Sequence, residues 1–268
     1  MDINRLRQIL KFSAENSEDM EAKIKHFFSL ARMEGDRDVL NLMQIARPLF
    51  WTKHYYVLEL PLRDKEIGAL CYKGDAIGYT FLNSSLPKVN VNFALCHEIY
   101  HVFYQETEFK QKVELLNEHY YEYEDEFAAN LFSGMLLMPE QSFRRMYDKF
   151  RTETEEKEEL LPVLARLMSY FEAPYMAVLI RCYELKLFEC GDTLEELLRV
   201  NGEAIRREFV RLWLDEGILE ASMRDDFAKL EDLVQQVGKA YQNEYINERT
   251  VQKVLQNMRV LYEQIRGE

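Results

Sequence analysis

The residues best suited to chemistry stand together at His97-Glu98-Ile99-Tyr100-His101. On a helix, a separation of four puts both imidazoles of this H-E-x-x-H pattern on one face, able to share one metal ion. Glu98 then sits beside the metal rather than on it. Between Lys88 and Glu106 these three are the only His, Asp, Glu, Lys or Arg residues, set among Phe93, Ala94, Leu95, Cys96, Ile99, Val102 and Phe103. A helix apolar around most of its circumference is expected to be buried, where ionisable groups without partners are costly. Two core histidines paired with Glu98 would be the purely structural alternative, and burying three such groups without a function is expensive.

A catalytic zinc takes three protein ligands and a water, so a third ligand is required. The longer pattern with a third histidine soon after a glycine fails, because Tyr104 and Thr107 hold those positions. His119, the only later histidine, reads as a solvent-side residue at a helix start. The other solution is a carboxylate from the following helix. There Phe127, Leu131 and Met135 form an apolar stripe with Ala128, Phe132 and Leu136, so the core-facing turn begins near Glu126. Glu122 and Glu124 lie earlier, on the solvent side. Asn130, one turn on, is placed to hold the Glu126 carboxylate.

Elements must position these groups. Apolar residues recur every three or four positions from Arg5 to Ala46, predicting helices broken near Gly35. His54–Leu60, Ile67–Tyr72 and Ile77–Leu82 are short and rich in Tyr, Val, Ile and Phe, predicting strands, with a hairpin at Lys73-Gly74-Asp75. Helices are predicted over about Asn92–Gln105, His119–Leu137, Leu161–Tyr170 and Tyr175–Leu187, and for most of the chain from Asp192, where Thr193 and Glu196 have capping-box spacing. Ile205, Phe209, Leu212, Leu214, Leu230, Leu233 and Val237 supply apolar faces there. The fold class expected is α+β, mainly helical: a small sheet, an active-site helix and a helical C-terminal region.

Composition sets the outer bounds. The 268 residues are 47% hydrophobic and 13% aromatic, enough to fill a core, and 10 Gly and 6 Pro disfavour a loop-rich or all-β fold. A net charge of −13 opposes general binding to phosphate backbones or anionic lipid, so neither nucleic acid nor membrane is an expected partner. Glu172-Ala173-Pro174 between two helices has the look of a helix-turn-helix, but the second helix carries only Arg181 and Lys186 against Glu184. Four cysteines without a C-x-x-C pair, an N-terminus interrupted by Asp2, Arg5 and Arg7, and the lack of a long apolar run point to a reducing cytoplasm.

Four stretches together resemble the ImmA/IrrE-type metallopeptidases: Asn83-Ser84-Ser85, Phe93 to His101, Glu126 to Phe132, and Leu136-Leu137-Met138-Pro139. The likeness spans about Tyr55 to Pro139, and Phe171 to Leu187 is similar to the helical pair that follows the peptidase core in that family. Tyr100, where glycine is frequent, and Phe132-Ser133, where Phe-Ala is frequent, depart from it. The resemblance implies His97, His101 and Glu126 as zinc ligands and Glu98 as general base. It implies a cytoplasmic zinc endopeptidase whose substrate is a protein, in some members a helix-turn-helix repressor, cleaved to release gene expression. The expected layout is a peptidase domain over residues 1–190, with its core at about 54–139 and a helical pair at 161–187, then a helical subdomain of residues 191–268. The competing reading is a catalytically silent, zinc-holding protein that sequesters a regulator; intact Glu98 favours the enzyme.

Overall fold

The computed structural model describes residues 1–33, 42–73, 77–105, 122–153, 160–187, 193–241 and 248–266. The expected break near Gly35, the turn at 74–76, His119 and Cys190 lie outside the described residues. Among those described, the chain is mainly helical around one small sheet.

Alternating Tyr, Val, Leu and Phe residues build β1 (Tyr55–Leu60), β2 (Ala69–Lys73) and β3 (Gly78–Asn83). Their order is β1-β3-β2, with β1 parallel and β2 antiparallel to β3. Gly78 sits opposite Tyr55, where an added Cβ would lie 2.4 Å from the tyrosine ring, so only glycine permits that pairing.

Asn83 ends β3 fully buried, and its amide organises the turn that follows. Its Oδ1 accepts from Leu62 N, Ser85 N and Ser85 Oγ, and its Nδ2 donates to the carbonyls of Asp64 and Ile67. From that turn springs α3 (Lys88–Tyr104), which begins four residues earlier than the periodicity suggests because Pro87 takes the N-cap position. Pro87 has no side chain able to cap. The first-turn N–H of Lys88 instead donates to the Glu220 carbonyl at 3.0 Å.

Helix α4 (Glu122–Leu137) packs on α3, with Ala129, Phe132 and Leu136 fully buried and Phe132 against the rings of Tyr100 and Tyr104. Upstream, α1 (Ile3–Leu30) lies along α4, with Phe12 stacked on Phe127 at 5.5 Å, and is tied to α3 where Tyr104 Oη donates to the Lys23 carbonyl. The following α2 (Leu42–Thr52) places Phe50 edge-on to Tyr55 and Phe103.

Helix α5 (Glu140–Glu153) was not anticipated; its buried face, Phe143, Met146 and Tyr147, is hidden in sequence by the charged residues between. Next come α6 (Leu161–Phe171) and α7 (Tyr175–Glu184), bent by 106° relative to one another. Arg181 of α7 points inward, donating to the Met138 carbonyl and pairing with Glu184, and does not face a duplex. No single helix among the described residues is long and apolar enough to cross a membrane.

The rest forms α8 (Thr193–Leu198), α9 (Gly202–Arg211), a 3-10 turn at Glu216–Leu219, α10 (Phe227–Tyr241) and α11 (Glu248–Arg266). Ile205 and Phe209 are buried, as their spacing suggests, whereas Trp213 is 96% exposed. Between the turn and α10, the chain docks on the peptide that launches α3: Pro87 bridges Ala221, Met223 N donates to the Ser84 carbonyl, and Ser84 Oγ donates to the Arg224 carbonyl. Asp226 then clasps the free edge of β1, its N–H donating to Glu59 O at 2.8 Å and its Oδ2 accepting from Glu59 N at 3.2 Å.

Candidate metal centre

Helical spacing brings the His97 and His101 rings to one side of α3, where their Nε2 atoms lie 2.8 Å apart. Glu126, one turn into α4, closes the triangle: Oε2 is 3.2 Å from His97 Nε2 and Oε1 is 3.4 Å from His101 Nε2. One ligand atom from each residue falls within 4.8 Å of the others, a spacing that suits one ion.

The hydrogen bonds behind the rings decide which atoms face the centre. His97 Nδ1 lies 3.2 Å from Asn130 Oδ1, and His101 Nδ1 lies 2.8 Å from Gln105 Oε1. Both partners are acceptors, so each Nδ1 carries the proton and each Nε2 presents a lone pair. Two imidazole lone pairs and a carboxylate thus converge on one point. Such a donor set is stable around a divalent cation. Asn130 therefore contacts His97, not the Glu126 carboxylate as the sequence suggested. Gln105 was not singled out in sequence, although its position four residues after His101 was a usable signal; it also reaches Asp125 at 3.4 Å.

Glu98, about 100° round α3 from His97, lies close enough to the two histidines to feel their charge and also reaches the sheet. Its carboxylate accepts from the Cys71 thiol on β2, the outer strand, and its Oε2 is buried without a hydrogen-bond partner among the described residues. An orphaned carboxylate oxygen beside a convergent donor set is the feature expected of a proton acceptor awaiting a water. Burial pushes the Glu98 carboxyl above its ordinary range, partly offset by His101 and His97. Burial and the neighbouring Glu98 push the Cys71 thiol up to about 12, so it stays neutral and can donate.

A helix carrying two histidines and a base, crossed by a second helix carrying a carboxylate and roofed by a small sheet, defines a metallopeptidase class of site. In agreement, residues 54–183 match the family model of the IrrE N-terminal-like domain, a peptidase family. The match includes β1 to α7 with all the residues above, and leaves out α1, α2 and everything from α8 onward. Neither a curated protein nor a solved structure matches the chain.

Proposed function

We propose that this protein is a zinc-dependent endopeptidase of the cytoplasm that makes limited cuts in a regulatory protein, a helix-turn-helix repressor being the type of substrate its resemblance favours. The observation that carries the reading is the unpartnered Oε2 of Glu98 beside the His97, His101 and Glu126 donor set. When bound there, zinc would supply a water acidified toward neutrality and a Lewis acid for the scissile carbonyl. His97, His101 and Glu126 would hold the ion, while Asn130 and Gln105 keep each imidazole in the Nδ1–H form. Glu98 takes the water proton at Oε2 and returns it to the departing amine, a transfer helped by a carboxyl raised by burial. Cys71 keeps the carboxylate turned toward the cleft.

The cytoplasmic assignment is supported by Cys71, Cys96 and Cys182, all free thiols. We further assign residues 1–190 to the peptidase unit and 191–268 to a helical subdomain applied to it.

The test is to incubate the purified, zinc-loaded chain with helix-turn-helix regulators from its own source and to map products by mass spectrometry. A single cut that disappears on chelation is the expected result. A cut that persists in chelator, or no metal retained after zinc is offered, would overturn the reading.

A further inference from the structure

Beside the metal centre opens an apolar cavity of about 500 Å³, within the range of small-ligand pockets, roughly 300–1,000 Å³. The ligands themselves do not line it, but their helix neighbours do: Phe93 precedes His97 by four residues on α3, and on α4 Phe127 directly follows Glu126 and Asn130 lies one turn beyond it. Asn130 belongs to both places, lining the cavity and bonding His97 Nδ1. The opposite walls come from Ile9 and Phe12 of α1 and from Ala177 and Ile180 of α7.

Gly134 is the informative residue. It sits inside α4, where glycine weakens a helix relative to alanine, and no turn or positive φ calls for it. Nor does close packing, because a Cβ built there would meet nothing within 4 Å. Its missing side chain keeps the cavity open, and space left empty beside a reactive centre is space for a ligand.

We propose that this cavity is the specificity pocket of the site: it receives a large apolar side chain, of leucine or phenylalanine type, from a residue flanking the scissile bond of the substrate. The proposal rests on the metallopeptidase reading and adds the substrate class to it. It also gives α1, which lies outside the matched domain, a role in substrate choice. Arg5 fixes that wall, its guanidinium resting 4.2 Å over the Phe127 ring.

The experiment is calorimetric and needs no turnover. Two metal-directed probes, acetohydroxamate and a hydroxamate bearing an isobutyl side chain, are titrated into the zinc-loaded full chain. The isobutyl compound is expected to bind about tenfold tighter or better, the gain for burying a leucine-sized group. In Gly134→Phe, whose ring fills the cavity, that gain falls below about threefold while zinc content stays at the wild-type level. Ala177→Leu, on the facing wall, gives the same loss should Gly134→Phe fold poorly. Equal affinity of both probes for the wild type, or a gain that survives both variants, overturns the pocket and leaves the metal reading standing. Binding of neither probe overturns both.

Discussion

Gln105 Oε1, on the residue that caps the end of α3, lies 2.8 Å from His101 Nδ1 and so sets which nitrogen of His101 faces the metal position. Gln105→Leu removes that acceptor from a half-buried ring. We expect metal affinity to fall by about 10- to 100-fold, with Gln105→Glu recovering most of it because the acceptor returns. Competition with a chromogenic chelator reads both variants, and an unchanged affinity in Gln105→Leu would refute the orienting role.

Glu98→Gln keeps the shape of the side chain and loses its basicity. The variant should retain the wild-type zinc content while turnover drops by at least about 100-fold. Elemental mass spectrometry and a cleavage assay on the same preparation separate the two properties. Loss of metal from this variant would mean that Glu98 is a ligand.

Asp226 links stability to acid. Burial alone would raise its carboxyl, but bonds from Lys229, the Glu59 N–H and Arg224 bring it below the ordinary carboxylate range. A depressed folded pKa means that its contribution is complete above the unfolded value, about 3.9, and is lost as pH falls through the folded one. Asp226→Asn should therefore lower unfolding free energy by about 1–3 kcal/mol at neutral pH. The difference from wild type should shrink below about pH 4. Urea midpoints across that range are the measurement; a gap that widens in acid would reverse the sign argued here.

Gly78→Ala tests the sheet. The new Cβ would stand 2.4 Å from the ring of Tyr55, which is 5% exposed and has no room to swing away. Overpacking of this kind costs about 1–3 kcal/mol, read as a lower thermal midpoint. A midpoint within error of wild type would mean that β1 and β3 pair in another register.

Much of this could be read from residue order. His97, Glu98 and His101 betray themselves by spacing on one helix, and Glu126 by standing where the apolar stripe of α4 begins. The three strands are visible because Tyr, Val and Phe alternate in short runs, and β2 and β3 pair as the hairpin expectation required. Contacts between distant parts of the chain left no such trace. Periodicity describes one helix at a time and so points Asn130 at Glu126, whereas its partner, His97, lies on another helix. The α5 stripe of Phe143, Met146 and Tyr147 is interleaved with Arg144, Arg145 and Asp148, whose charges mask it. The cavity beside the site depends on α1, some hundred residues upstream of α4, and on the absence of a side chain at Gly134.

The bond from Lys88 N–H to the Glu220 carbonyl gives the C-terminal region a mechanical meaning. The helix that carries His97, Glu98 and His101 starts on a residue that cannot cap it, and the missing acceptor is supplied from more than a hundred residues downstream. Deleting everything after α7 would therefore fray α3 from its first turn, nine residues before His97, and would also bare the edge of β1 that Asp226 covers. Truncation after α7 is thus the wrong way to isolate the metal-holding unit.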